Sequence, residues 1–466
     1  MIEEERKNKK YSVHYHLRAP QGLINDPNGL IYFKGQYHVF FQWNPEDTTH
    51  ANKTWGHAVS DNLIEWTYLE PALKPTDWFD KDGCYSGSAF EKDGKLFLFY
   101  TGNVRNDKGD RESYQCLAVS EDGIHFEKKG PLFDHPANYT AHLRDPKVWQ
   151  QDNTYWMILG AQTLDLKGTA LLYRSDDLLD WSFYSEFTDA LPDFGYMWEC
   201  PDVLKLADRD VFVFSPQGIE QKGDKYKNIF QTGYMLGRFH QGTFTPDREE
   251  FIEMDRGYEF YAPQSFEDGL GRTLIFGWMG TMPPDLEAAV PTIKDGWIHH
   301  LTLPREVTLI DGRLLQQPVE ELKALRKQSF DYLEDIYEKD VLTFTTPEQE
   351  VVIAWHEAAS SFSWTLRCEV TVNYDSSEKR VTVERTNWAT GERETRSVTL
   401  MDPLKKVQLF IEDSSMELYL NDGREVFSLR YFNEKRTDRW EWKESDWLSN
   451  LSQLDVFELK RTLNYK

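Results

Sequence analysis

Three short acidic motifs carry most of the chemistry this sequence can offer: Asn25-Asp26-Pro27-Asn28-Gly29, Arg144-Asp145-Pro146 and Trp198-Glu199-Cys200-Pro201-Asp202. Asp, Asn, Pro and Gly are ordinary turn formers, so each motif by itself reads as a turn. Their immediate neighbours suggest more. Asp26 lies among Asn25, Asn28 and Gly29, whose amides can hydrogen-bond an ionised carboxylate and hold its pKa low, as a nucleophile requires. Asp145 has Arg144 beside it, a cation that favours its charged form. Glu199 stands between Trp198 and Cys200 with no adjacent cation, and an apolar setting raises a carboxyl towards the range of a general acid. One low and one raised carboxyl is the pairing that glycoside hydrolysis uses. Clustered carboxylates also suit Ca²⁺, but these motifs lack the dense ligand spacing of a calcium loop, and no metal is expected.

Bringing three carboxylates together across such separations demands a repeating scaffold. Five strongly apolar strand candidates recur at Tyr37–Phe41, Leu96–Tyr100, Tyr155–Leu159, Val211–Ser215 and Thr273–Gly277, with starts 59, 59, 56 and 62 residues apart. A second signature keeps the same beat. Ser60-Asp61-Asn62-Leu63-Ile64-Glu65-Trp66 is echoed from Ser120 to Phe126 and again from Ser175 to Trp181. A period near 60 residues fits a four-stranded propeller blade, and five repeats over about residues 14–308 predict a five-bladed β-propeller. The acidic motifs stand just before apolar strands, so the innermost strands would bring them to one end of the channel. An α/β barrel would need amphipathic helices between the strands, and the sequence supplies almost none.

Beyond this region the pattern changes. Gln317-Pro318 predicts a short helix with Val319, Leu322 and Leu325 on one face, acids early and bases late. Phe362, Trp364, Leu366, Cys368, Val370, Val372 and Tyr374 then alternate as one half-buried strand, and Asn421-Asp422-Gly423 marks a hairpin. The expected fold is all-β: residues 1–308 as the five-bladed β-propeller, 309–327 as a linker with a short helix, and 328–466 as an antiparallel β-sandwich of structural role.

Composition narrows the partners. A net charge of −25 argues against nucleic acid and anionic membranes. No apolar run reaches transmembrane length, and the first residues lack a secretory core, so a cytoplasmic setting is expected. Cys84, Cys116, Cys200 and Cys368 are widely spaced and read as free thiols. The 16 Trp and 23 Tyr suit blade cores and sugar faces alike. His14 and His16, with no partner pair in sight, are expected at the surface.

The order NDPNG, RDP, WECPD resembles glycoside hydrolase family 32, the invertases and fructosidases. Supporting stretches are Phe40-Phe41-Gln42-Trp43-Asn44-Pro45, Trp55-Gly56-His57, Tyr85-Ser86-Gly87-Ser88, Phe260-Tyr261-Ala262-Pro263-Gln264 and Leu303-Pro304-Arg305-Glu306. The resemblance covers nearly the whole chain. It implies a propeller followed by a sandwich, a retaining mechanism through a covalent fructosyl-enzyme, and no cofactor. By position it implies Asp26 as nucleophile, Glu199 as acid/base and Asp145 as the carboxylate that binds the fructose hydroxyls. It places Asn25, Gln42, Trp55, Tyr85, Ser86, Arg144 and Trp278 in the sugar pocket, with Tyr85 standing where many relatives carry Phe or Trp. The implied partner is a small sugar: sucrose, sucrose 6-phosphate or a short fructo-oligosaccharide. Fructosyl transfer to another sugar and non-catalytic sugar binding are the alternatives. A phosphate on the substrate would need cations at the rim, and Arg105, Lys108 and Arg111 are the candidates.

Overall fold

Each of the five apolar repeats lies in the second strand of a four-stranded antiparallel unit. The second strands are Gln36–Asn44, Lys95–Arg105, Thr154–Thr163, Arg209–Gln217 and Thr273–Trp278, here assigned to blades I to V. They are apolar on both faces because a middle strand of a blade is sandwiched by the neighbouring blades. The innermost strands are Gly22–Phe33, Cys84–Lys92, Tyr139–Gln151, Met197–Leu206 and Tyr261–Glu267. Each touches the next, and the fifth touches the first, so the ring closes into a five-bladed propeller. Trp297–Ile298 pairs in parallel with Gly22 and Leu23 and ties the end of the ring to its beginning. This computed structural model describes residues 10–187, 194–329, 340–344, 346–434, 437–443 and 445–463.

The recurring Ser–Asx signature is a capped turn between the third and fourth strands of blades I to III. In blade I, Asn62 Oδ1 accepts from the amides of Ile64 and Glu65. Asp122 does the same for Ile124 and His125, and Asp177 for Leu179 and Asp180. Packing between blades is largely aromatic, for example Phe99 against Trp181 and Phe187 among Phe212, Phe239 and Phe244.

Two six-stranded sheets form the second unit, around a core that includes Trp364, Trp440 and Trp447. The hairpin at Asn421-Asp422-Gly423 joins Ser415–Leu420 to Glu425–Arg430, with all three turn residues at positive φ. Three expectations need correction here. The alternating run from Phe362 to Tyr374 is not one strand but a hairpin, Phe362–Leu366 and Val370–Asp375. Arg367 and Cys368 both adopt φ 56° and turn the chain, and the inward phase survives because the reversal spans an odd number of residues. Gln317-Pro318 does not open a helix but ends Arg313–Pro318, the outermost strand of blade V; the helical turn is a 3₁₀ segment, Glu320–Leu325. Its apolar face is as expected, with Val319, Leu322 and Leu325 buried. Finally, His16 is not a surface residue: it is fully buried where the sandwich meets the propeller.

That meeting is built from buried charges. His16 Nδ1 pairs with Glu412, and His16 Nε2 lies 2.9 Å from Glu417 Oε1. Glu417 Oε2 also accepts from Arg305 Nη2 at 2.5 Å, and Arg305 Nη1 reaches Asp255 Oδ2 at 3.2 Å. Each acid in this network faces a base.

Candidate active site

Every innermost strand carries a β-bulge at the same phase. The breaks in register fall between Ile24 and Pro27, Tyr85 and Gly87, Arg144 and Lys147, Glu199 and Asp202, and Tyr261 and Gln264. Proline is confined to bulges and edges of sheets because it cannot donate to the ladder, which explains the recurring X-Pro step. The bulged residues Asp145, Cys200 and Ala262 adopt φ of 64°, 46° and 48°, a left-handed conformation costly for non-glycine residues and typical of functional sites. Asp26, Ser86, Asp145, Cys200 and Ala262 are therefore equivalent positions on five strands. Glu199 stands one residue earlier, in step with Asn25, Tyr85, Arg144 and Tyr261. In the NDPNG motif, Gly29 sits at φ 51°, and a Cβ there would lie 2.9 Å from the rings of Phe40 and Trp55.

The bulges open on one pocket of about 290 Å³. All three carboxylates line it, together with Asn25, Gln42, Tyr85, Ser86, Arg144 and Trp278. Trp55 does not. Its ring is fully buried behind Gly29, and its Nε1 donates to the Tyr85 carbonyl at 2.9 Å, so it supports the pocket wall from behind. The pocket also takes in Tyr261, Lys53, His50, Glu287 and Arg111. Tyr261 was legible in principle, since Tyr261-Ala262-Pro263 repeats the X-Pro bulge of the acidic motifs. Lys53 and His50 sit in a polar stretch that carries no such signal.

A polar chain fixes Asp26. Ser86 Oγ donates to Asp26 Oδ2 at 2.5 Å, Asn25 Nδ2 to Asp26 Oδ1 at 3.1 Å, and Gln42 Nε2 to Ser86 Oγ at 2.5 Å. Lys53 Nζ donates to Asn25 Oδ1 from behind. Asp145 accepts from the Cys200 amide at 3.0 Å, and Cys200 Sγ lies 3.8 Å from Asp26 Oδ2. Glu199 is the most heavily bonded of the three. Its Oε1 accepts from Arg144 Nε at 2.9 Å and Nη2 at 2.7 Å, and its Oε2 from Gln217 Nε2 and Tyr261 OH, each at 2.6 Å.

These contacts reverse the expected ionisation of the ligand-free pocket. Burial pushes Glu199 up, but the Arg144 charge and the hydrogen bonds from Tyr261, Arg144 and Gln217 outweigh it and hold the carboxyl below the usual glutamate range. Burial raises Asp26 against the Ser86 and Asn25 hydrogen bonds, with the Glu199 charge adding to the rise. Asp145 is pushed up to about 7 by burial, with Glu199 and Asp26 adding to it and Arg144 opposing. The reason is geometric: Arg144 is adjacent in sequence to Asp145 but directs its guanidinium at Glu199. Burial likewise pulls Lys53 down to about 7, against Asp26 and Glu287.

A second cluster stands at the rim. His50 Nε2 and His299 Nε2 approach Glu287 Oε1 at 3.0 and 2.8 Å, and Trp278 packs edge-on to both imidazoles. These groups have the donor types of a transition-metal site. Lys53 Nζ, 3.4 Å from His50 Nδ1, adds a further hydrogen bond there, and the cluster is accounted for as a hydrogen-bonded wall.

Residues 16–318 match the N-terminal domain of glycosyl hydrolases family 32, and residues 321–457 match the C-terminal domain of the same family. The sucrose-6-phosphate hydrolase of Bacillus subtilis (strain 168) is 47% identical over 425 residues, covering 90% of this chain and 88% of its own. The raffinose invertase of Escherichia coli is 37% identical over 441 residues, covering 92% and 91%. The structure of sucrose-6-phosphate hydrolase from Lactobacillus gasseri superposes with a TM-score of 0.88 at 28% identity, over 99% of this chain and 95% of that one. A Bombyx mori β-fructofuranosidase mutant in complex with sucrose superposes with a TM-score of 0.83 at 32% identity, over 99% and 97%. With both halves of the chain matched and its motifs gathered in one pocket, this protein belongs to glycosyl hydrolase family 32.

Proposed function

We propose that this chain is a retaining β-fructofuranosidase that releases fructose from sucrose and sucrose 6-phosphate, with the phosphorylated sugar preferred. The observation that carries the reading is the convergence of Asp26, Asp145 and Glu199 on one pocket in a chain of this family. Relatives named for hydrolysis of sucrose 6-phosphate support the substrate class. The reaction belongs to the propeller, and the sandwich buttresses it. Because sugar phosphates are held inside cells, the work is assigned to the cytoplasm.

In this mechanism fructose occupies the floor of the pocket. Glu199 gives its proton to the glycosidic oxygen as that oxygen parts from the anomeric carbon, and the sugar leaves with its hydroxyl restored. Asp26 Oδ attacks the same carbon and forms a fructosyl ester through an oxocarbenium-like state. Asp145 holds ring hydroxyls, an interaction that strengthens as positive charge develops beside it. Water then gives a proton to Glu199 and its oxygen to the anomeric carbon, which frees fructose and regenerates Asp26. The ligand-free pairing of Arg144 with Glu199 suits this second step, in which Glu199 is an anion. For the first step, sugar hydroxyls entering between Arg144 and Glu199 weaken the pair. Burial then acts on Glu199 with less opposition and raises it for proton donation.

Product analysis on sucrose, sucrose 6-phosphate, 1-kestose and inulin tests the reading. We expect fructose from the first three and, from sucrose 6-phosphate, glucose 6-phosphate in equal amount. Absence of fructose from every donor would overturn the assignment, and longer oligosaccharides in excess of free fructose would make transfer the main reaction.

A further inference from the structure

Among the cations that line the pocket, two are engaged. Arg144 is paired with Glu199, and Lys53 is committed to Asn25. Arg111 is different. Its guanidinium lies over the Tyr85 ring, 5.6 Å from the centroid, and makes no ion pair with any carboxylate among the described residues. It is half-buried, and a cation withdrawn from water without a partner is unfavourable unless something else supplies the counter-charge. Burial and the charges of Arg144 and Arg105 make that site less hospitable to a cation still. In a chain of net charge −25, an unpaired guanidinium near Arg105 and Arg144 calls for an anionic ligand.

Its place in the fold says which part of the substrate is charged. Arg111 opens the third strand of blade II, Arg111–Ser120, opposite Arg105 at the tip of the hairpin. Tyr85 beneath it adjoins Ser86, which bonds Asp26, so the guanidinium stands above the fructose floor and not within it. It is also close enough to Glu199 to feel its charge. Glu199 protonates the oxygen of the leaving sugar, so Arg111 faces that sugar. The bases around His50 are already answered by Glu287.

We infer that Arg111 recognises a phosphate on the leaving sugar, an assignment that rests on the hydrolase reading above. A guanidinium presents two parallel donors to phosphate oxygens, a fork that an ammonium lacks. The structure also separates the three cations suggested by the sequence. Arg105 is exposed and donates to the Gly109 carbonyl at 3.1 Å, and Lys108 is exposed on the same turn. Neither lines the pocket.

The test is kcat/KM for sucrose 6-phosphate and for sucrose in the wild type, Arg111→Gln, Arg111→Lys and Arg105→Gln, with inhibition by glucose 6-phosphate and by glucose measured alongside. We expect Arg111→Gln to lower the ratio of kcat/KM, phosphorylated over free sugar, by about tenfold or more. The inhibition constant for glucose 6-phosphate should rise by a similar factor, while that for glucose moves far less. Arg111→Lys should fall between, and Arg105→Gln should keep the wild-type ratio. If Arg111→Gln proves unfolded by circular dichroism, Arg111→Lys decides by the same ratio. Equal losses on both sugars, or a ratio moved no more than by Arg105→Gln, would overturn the inference while leaving fructose release intact. If the wild type released no fructose at all, the hydrolase reading would fail by itself. Calorimetry would then decide the anion site, upheld by glucose 6-phosphate binding that Arg111→Gln weakens and overturned by equal binding.

Discussion

Two regions of this molecule bury several ionised groups, and they handle them in opposite ways. Where the sandwich meets the propeller, each acid faces a base: Glu417 bonds Arg305 and His16, and Asp255 bonds Arg305 and Ser428. There burial alone would raise Glu417, yet the Arg305 and His16 contacts hold it at about 2, and Glu412 and Glu417 lift His16 to about 9 against its own burial. In the pocket the carboxylates outnumber the cations committed to them. Arg144 serves Glu199, Lys53 reaches Asp26 only through Asn25, and Asp145 rises to about 7. In the joint Glu417 and His16 therefore both stay ionised near neutrality. Mismatched charges leave carboxyls whose ionisation changes when a sugar arrives, and proton transfer needs that condition.

Substitutions can break this contrast from either side. Asp26→Ala removes the proposed nucleophile without touching the joint. We expect turnover of sucrose to fall on the order of 10⁴-fold or more, with an unfolding temperature close to that of the wild type. Activity within tenfold of the wild type would remove Asp26 from the mechanism.

Glu417→Gln attacks the joint. It leaves Arg305 with Asp255 and His16 with Glu412 as their remaining anions, and we expect a loss of about 3 kcal/mol of stability in denaturant titrations. Fructose release by the folded fraction should persist. A stability unchanged within about 0.5 kcal/mol would show that the network is solvated in solution.

The same joint should give stability a pH dependence whose acid limb has the opposite sign to that of the raised pocket carboxyls. His16 is raised in the folded state, so its contribution is complete below about 6.5 and disappears as pH climbs to about 9. The total on the alkaline side is on the order of 3 kcal/mol. Glu417, lowered to about 2, contributes above about 4.5 and loses its part as pH falls through that range. The joint's own contribution should therefore be complete between these limits, where Asp145, raised to about 7 in the pocket, makes total stability fall as pH climbs. The stability gap between the wild type and His16→Gln should close from about pH 6.5 to 9, whatever rise Lys53, lowered to about 7, adds to both. A wild-type alkaline slope that survives in His16→Gln would assign it to other groups.

The smallest change concerns Cys200. Its φ of 46° is hostile to a β-branched side chain, so alanine is the informative replacement. Cys200→Ala keeps the amide that donates to Asp145 and deletes the thiol 3.8 Å from Asp26 Oδ2. Losing a weak donor should raise the acidic limb of the kcat/KM profile by about half a pH unit. An unmoved limb would make the thiol a packing group.

The fold was legible because a blade's second strand must be apolar on both faces, and five such strands at even spacing leave few architectures. The bulges were legible only through their prolines, and their phase explains why Asp26 and Asp145 coincide while Glu199 stands one residue earlier. Side-chain direction was not legible. Sequence places Arg144 against Asp145, whereas the strand's alternation turns it to Glu199, 55 residues on. Trp55 has the type of a sugar platform, but its strand phase sends the ring behind Gly29. His16 looked solitary because its partners, Glu412 and Glu417, lie 396 and 401 residues away on the other unit.

The central claim is that the unmatched carboxylates of the pocket divide the labour, with Asp26 bonding to fructose and Glu199 moving the proton. Glu199→Gln should still react with an aryl fructoside whose leaving group needs no proton, then stall because no base activates water. Peptide mass spectrometry of the quenched variant should find a fructosyl ester on the peptide that carries Asp26. An ester on the Asp145 peptide, or aryl release at the full wild-type rate with no ester anywhere, would contradict that division.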